Sequence, residues 1–524
     1  MLSLKESMEL AGRNLLAILS PSQGYLPYWK VNLDREKRAE CQMAWPSHNI
    51  GRWWDAMLRL EAATGFGIPA QVEEPMLTNL KRCLANPLAV CCHITPRIGI
   101  EPGGDPVGWF DDGSLREALL ALTGLVRWRG LGWAGKLGSR MVRALDSYIL
   151  EDGDWDFTRM GAIVRQSGVA LQQPILVFYS KLTGFQLIGN HGRLIEALLE
   201  FYLATQDGAA LALASRLARF HLAVSTRPDG STPDAEHIHT HSLFGTYRGL
   251  LLYGQLTRQH EYIGRIVKTY RVTVKKYVRQ SGFISHDLGK EKDGETAAPG
   301  DAAQLALGLS RSGYPEFLED AERIVRARIL PSQITTPIGL KPFTDDDQDE
   351  HTHLDERALG AFGGLPSHSH GGKSPVTDIT AADLHTLCDI YTHIVDSSPL
   401  GLQVNFHFDY EDDRICIQST RGETARSDIW LKIPQPLLIH IPGWAPVESV
   451  NLKVNAQPLP PAWVGQCLFV PRQAAPAQVQ VEYGLPVTML DETTDGVTYH
   501  FSWRGDEINA MTPNTDWLPF YPGD

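Results

Sequence analysis

The sequence predicts an all-α (α/α)6 toroid followed by an all-β sandwich. Three observations predict it: a helical hydrophobic period from residue 47 to 396, a turn signature that recurs every 50-odd residues, and a switch to period-two alternation after Pro399. Residues 1–45 read as an N-terminal amphipathic helix and lead-in. Leu194, Ala197, Leu198, Phe201 and Thr205 keep i, i+3, i+4 spacing, and so do Leu211, Ala214, Leu217 and His221. Punctuation of one kind recurs at Ala63-Thr64-Gly65, Leu182-Thr183-Gly184, Thr205-Gln206-Asp207, Leu256-Thr257-Arg258 and Arg311-Ser312-Gly313. That rhythm suits antiparallel helix pairs of about 18–20 residues per helix. Roughly twelve such helices in six hairpins close into a toroid over 46–398. Beyond it, Leu402 to Phe408, Leu437 to Ile441, Ser449 to Val454, Gln478 to Tyr483 and Val497 to Trp503 read as strands separated by Pro and Gly, a sandwich over 399–524. The helix-free stretch 336–375 is long enough to be functional.

Composition narrows the partners. The 524-residue chain carries a net charge of −13, against a nucleic acid or an anionic membrane as partner. Its longest apolar run near the N-terminus is too short for a signal peptide or a span, so a cytoplasmic location is expected. Seven scattered cysteines without a CxxC pair suggest neither a disulfide framework nor a zinc ribbon. No dinucleotide, Walker, HExxH or GxSxG element is present, so no cofactor is expected. The composition leaves a homodimer open.

Candidate chemistry sits in two kinds of residue. His237, His239 and His241 alternate, and His351, His353, His368 and His370 cluster in the long gap. Such groups can hold a transition metal, bond sugar hydroxyls or line a polar rim. Carboxyl candidates are Asp287 and Glu295, eight residues apart across a Gly-bearing loop, with Asp301 beyond. Glycoside cleavage commonly needs two carboxyls, about 5–5.5 Å apart for retention and 6.5–9.5 Å for inversion, and this spacing permits either. Glu291 lies in a charged run that reads as a solvated turn. Cys91-Cys92 and Trp53-Trp54 read as buried core more readily than as a redox pair or a stacking platform.

The order of blocks resembles the β-L-arabinofuranosidase group, glycoside hydrolase family 127 and its relatives, over roughly 45–523. The blocks are Ser47-His48-Asn49-Ile50-Gly51-Arg52, Asp111 to Ala118, Asn190 to Leu198, His239-Thr240-His241-Ser242 with Arg248-Gly249-Leu250, Gly282 to Asp287, Glu295-Thr296-Ala297, Asp320 to Arg323, and Phe501 to Asp506. The resemblance implies a zinc held by a glutamate and three cysteines, one of them the nucleophile. Here Ala297 replaces the first cysteine, and the later pair falls near Val376-Thr377-Asp378, so no stoichiometric zinc is expected and the thiolate mechanism does not carry over. What remains is a metal-independent glycoside hydrolase that removes a terminal sugar from an oligosaccharide. Asp287 is the expected general acid, and Asp378 or Glu295 the base or nucleophile. His191, His239 and His241 are the expected sugar binders, with Tyr247, Arg248 and Trp53 shaping the pocket. The alternatives are a lyase acting on uronates, in which His241, Tyr247 and Arg248 would serve, and a catalytically inactive sugar-binding relative. The loops 231–241, 283–301 and 345–376 are expected at one end of the barrel.

Overall fold

The structure, a computed structural model, describes residues 2–33, 39–43, 45–94, 108, 110–170, 191–232, 238–291, 293–340, 353–366, 368–370, 375–474 and 476–523. The sequence candidates His237, His351 and the acidic run 345–350 lie outside them.

Six helices touch in a closed cycle: α2 (Pro46–Thr64), α4 (Leu115–Arg129), α7 (Leu194–Thr205), α9 (Thr240–Thr257), α11 (Ala297–Arg311) and α13 (Thr377–Thr392), which returns to α2. Each carries a partner on its outer side: α3 (Ala70–Cys83), α5 (Gly132–Tyr148), α8 (Gly208–Val224), α10 (His260–Thr269), α12 (Leu318–Ile324) and, for α13, the N-terminal α1 (Leu4–Ala17). A short α6 (Phe157–Gln166) packs on α5. The two layers differ as burial demands. Inner helices are buried nearly all round, α11 from Ala297 through Leu307 and α13 from Thr377 through Cys388, whereas outer α5 buries only a stripe including Ala134, Met141, Val142 and Leu145. A Ser3–Glu6 capping box starts α1, and Gly65 and Gly130 end α2 and α4 in the left-handed conformation.

The C-terminal region is β-rich. A six-stranded sheet contains Thr424–Leu431, Ile415–Arg421 and Ala477–Gly484, and a five-stranded sheet contains Gly401–Val404, Leu437–His440 and Cys467–Val470. The first strand of the smaller sheet, Val395–Ser398, precedes the compositional change at Pro399. Val497–Arg504 is not in either sheet. It is the middle strand of a separate three-stranded meander with Val487–Thr494 and Glu507–Thr512. Arg326 and Arg328, just past α12, join these parts to the helices. The Arg326 guanidinium donates to the His407 carbonyl at 2.5 Å and to Glu507 at 3.0 Å. Arg328 is fully buried, contacts His368 at 2.9 Å and lies over Phe283 and Phe520. No described helix is long and apolar enough to cross a membrane.

Several core imidazoles are buried as neutral groups. Burial pushes His221 down to about 3, and His370 and His440 to about 4. All three lie below the unfolded value of about 6.5, so the unfolded chain takes up more protons as the solution is acidified. Their stabilising contribution is complete above about pH 6.5 and is lost as pH falls toward 4. His385, held up by Asp55 and Asp389 against the effect of its burial, acts in the opposite sense. Each neutral imidazole should remove about 1.4 kcal/mol per pH unit in that window. Urea midpoints should therefore fall from pH 7 to pH 5, and His440→Gln should flatten the slope. A midpoint independent of pH would contradict this account.

Candidate active site

The N-terminal ends of the inner helices gather the polar groups. His48 and Arg52 stand in the first turns of α2, and Glu117 in the first turn of α4. Arg193 precedes α7, His239 and His241 open α9, Glu295 precedes α11 and Asp378 opens α13. Glu117 accepts from Arg193 at 2.7 Å and Arg116 at 3.1 Å, and faces Arg52 at 3.3 Å. Burial would raise its pKa, but Arg193, His48, Arg52 and Arg116 hold it well below the usual carboxylate range. Arg116 continues to Glu196 at 2.7 Å, Glu196 to Arg248, and Arg248 to Asp301 at 2.7 Å. Asp301 binds His241 Nδ1, and His241 Nε2 lies 2.7 Å from Arg52. That arrangement requires a neutral His241 with its proton on Nδ1. Burial, with Arg193 and Arg52 alongside, lowers its pKa to about 4, which agrees.

Glu295 lies at the edge of this network. The chain reaches it through a compact pair of turns: His239 bridges Asp287, Ser285 bridges Gly294, and Asp293–Glu295 pairs with Gly364–Pro366. Gly294 is required there, since a Cβ would stand 2.8 Å from the Phe283 ring and 2.9 Å from the Ile284 carbonyl. The loops expected to share one end do meet, through these pairings. His239 Nε2 is 3.1 Å from Glu295 Oε1, and the His239 and His286 rings are 4.5 Å apart. Burial opposes ionisation of Glu295, but His239, His241 and His286 hold it well below the carboxylate range.

The expected site residues are only partly brought together. His239, Glu295 and Asp287 are neighbours. Asp287 contacts His286 at 3.0 Å and Lys290 at 3.1 Å. Its modest burial is outweighed by those two groups, which lower its pKa and keep it an anion. Asp378 lies across the ring end, 3.6 Å from His48 Nε2. His241 is part of the scaffold, with both ring nitrogens engaged. His191 is buried in the wall, its Nδ1 2.7 Å from His221 Nε2 and its ring against Trp155 and Phe220. Trp53 and Tyr247 do not reach the site. Trp53 is fully buried and donates to the Leu15 carbonyl on outer α1, while Tyr247 donates to the Ser225 carbonyl at the end of outer α8. Arg248 lies beneath the site, between Glu196 and Asp301. It also lines a cavity of about 390 Å³ at the opposite end of the ring, in which Arg59 pairs with Asp389 and Arg248 with Glu196.

Sequence reasoning missed Arg52, Glu117 and Arg193 as site-builders, and Asp383. Asp383 is fully buried on α13 and accepts from Thr296. Burial raises its pKa far above the usual range, helped by Glu295 and Asp301. The signal was available: charged residues on otherwise apolar helices need partners. The aromatic face at this end is not Trp53 but Trp45, stacked on His48 at 4.5 Å, tilted against Trp29 at 5.6 Å and donating to Asp111 at 2.7 Å. The thiolate zinc set of the resembling family does not fit. The donor cluster at Glu295, among the described residues, is two imidazoles and the carboxylate and contains no sulfur.

No family model matches the chain, and no curated protein matches it in sequence. Solved structures do match. A GH127 β-L-arabinofuranosidase from Geobacillus stearothermophilus T6 aligns over 88% of this chain and 76% of its own, with a TM-score of 0.58 at 10% identity. A second GH127 β-arabinofuranosidase aligns over 96% of this chain and 79% of its own, at 0.60 and 12%. A further protein described as a glycoside hydrolase covers 88% and 77%, at 0.55 and 12%. At these identities the likeness is one of fold: this chain has a GH127-like fold.

Glu117→Gln should test the network directly. It leaves three guanidiniums facing a neutral amide in a buried site, which should cost about 3–5 kcal/mol. The denaturant midpoint should drop accordingly, while Asp428→Asn on an exposed strand pair should change it by less than about 1 kcal/mol. Equal, small shifts for both would remove the network from its structural role.

Proposed function

We propose that this protein is a glycoside hydrolase that removes a terminal sugar, an L-arabinofuranoside or a related one, from an oligosaccharide by carboxylate chemistry. Its frame is read as an (α/α)6 toroid over 46–398, with the N-terminal helix of 1–45 as outer partner of the last inner helix, and a sandwich over 399–524. The observation that carries the reading is Glu295, a buried carboxylate kept ionised by imidazoles at the end of the helix ring where Asp287, Asp378 and the Trp45–His48 stack also lie. The GH127-like fold supports it at the level of architecture.

In this reading Glu295 acts as nucleophile or base, since it holds its charge without a proton to lose. Asp287 and Asp378 are the candidates for delivering a proton to the leaving oxygen. Asp287 is braced by Lys290 and His286, and Asp378 faces His48, so either must give up a cationic neighbour to serve. His239 orients Glu295 and offers a donor to sugar hydroxyls, and Trp45 and Trp29 present apolar ring faces to the sugar. The uronate-lyase reading needs a cation to neutralise the substrate carboxylate. Arg248 is committed to Glu196 and Asp301, so that reading gains nothing from the structure.

The test compares Glu295→Gln, Asp287→Asn and Asp378→Asn on a natural arabinofuranosyl disaccharide and on a nitrophenyl furanoside. The proton donor should lose about 10²–10⁴ in rate on the disaccharide and far less on the nitrophenyl substrate, whose leaving group needs little protonation. Glu295→Gln should slow both alike. Near-wild-type turnover of the disaccharide by all three variants would overturn the carboxylate mechanism.

A further inference from the structure

We infer that His239, His286 and Glu295 form a binding site for one divalent transition metal ion of the zinc class. One donor atom from each lies within 4.8 Å of the other two, the one such group among the described residues. Donors about 2.0–2.1 Å from a tetrahedral ion stand roughly 3.3 Å apart, and His239 Nε2 and Glu295 Oε1 are 3.1 Å apart.

Two independent features point the donors at a shared guest. The first is orientation. His286 Nδ1 is 3.0 Å from the Asp287 carboxylate and His239 Nδ1 is 2.7 Å from the Ser242 hydroxyl. These are outer contacts of the kind that orient a ligating imidazole, and for His239 they leave Nε2 on the Glu295 side. The second is Glu295 itself. The residue is 7% exposed, and its Oε1 makes no aligned hydrogen bond despite the short distance to His239. The two atoms are close without pointing at each other, as donors to a common ion are. Two ring nitrogens and a carboxylate oxygen gathered this closely make a donor set for a cation. Two imidazoles and one carboxylate suit zinc or iron(II) rather than magnesium or calcium. His286 is half exposed, so the remaining coordination positions open toward solvent and toward an incoming hydroxyl.

The inference does not depend on the glycosidase reading, because binding can be measured without a substrate. It does bear on it: a carboxylate that ligates a metal cannot also act as nucleophile, so the ion and the Glu295 chemistry proposed above exclude one another at the same atom.

The experiment is titration of the chelator-treated full-length protein with Zn²⁺ and, separately, Co²⁺, read by calorimetry and by the visible absorption of bound cobalt. One ion per chain is expected, with a cobalt spectrum of nitrogen and oxygen ligation. His239→Ala and His286→Ala should each abolish the spectrum, and Ser242→Ala should weaken binding by about 10–100-fold through its outer contact. His286→Ala is the safer variant for folding, and unchanged circular dichroism and urea midpoint qualify each protein for comparison. Absence of saturable binding, or binding that survives His286→Ala unchanged, overturns the inference. Turnover then separates the two readings. Zinc that binds at this site and suppresses disaccharide cleavage fits both. Zinc that binds and is required for cleavage keeps this site and overturns the carboxylate role of Glu295.

Discussion

The buried ion network on the axis of the helix ring is the constraint on which the rest depends. Arg52, Arg116, Arg193 and Arg248 face Glu117, Glu196 and Asp301, all at or below 10% side-chain exposure. Removing such ions from water costs several kcal/mol each, and only near-complete pairing offsets that cost. Apart from Arg116–Glu117 within α4, the pairs run between helices, from α2 to α4, α4 to α7, α7 to α9 and α9 to α11. Asp55–His385 at 2.8 Å and Gln304–Asp389 at 2.6 Å extend the ties to α13. An apolar ring would tolerate a helix sliding by a turn. This one does not, because a slide would strand a charge.

The site inherits its geometry from that network. Asp301 and Arg52 take both nitrogens of His241, which fixes the first turn of α9 and with it His239, two residues earlier. His239 in turn meets Glu295. The acids stand at helix N-termini, where the macrodipole favours negative charge, while the cavity of about 390 Å³ lies at the far end of the ring. Glu295 and Asp383 illustrate the same physics with opposite results: both are buried, but only Glu295 has imidazoles to hold its charge, so the pKa of one carboxyl is held down and that of the other pushed up.

The β-rich region shares a continuous apolar core with the helices, and a few buried charged side chains tie the two together. Arg326 alone reaches Glu322, the His407 carbonyl, Glu507 and the face of Phe408. Glu492 of the meander accepts from the backbone and hydroxyl of Ser281, a few residues before the His286–Asp287 turn. The meander therefore braces the chain that leads into the site.

By itself the sequence determined a helix-rich first part and a β-rich second part. Hydrophobic period and turn spacing carried the helix pairs, because burial of a helix face leaves a periodic trace along the chain. Alternation after Pro399 carried the strands, although it could not tell that Val497–Arg504 belongs to its own meander. Glu295, Asp287 and His239 were legible because they sit close together in two polar, Gly-bearing turns. Residue type does not say which face of a helix looks inward, so the burial of Trp53, Tyr247 and His191 was not legible. Tertiary structure decided that Trp53 anchors α1, that Arg248 serves the network, that Trp45 stacks on His48, and that burial pushes the Asp383 carboxyl up. It also brought His286 beside His239 across 47 residues of chain. Pairing energies and pKa values depend on distance and burial, and those exist only once helices far apart in sequence have closed into a ring.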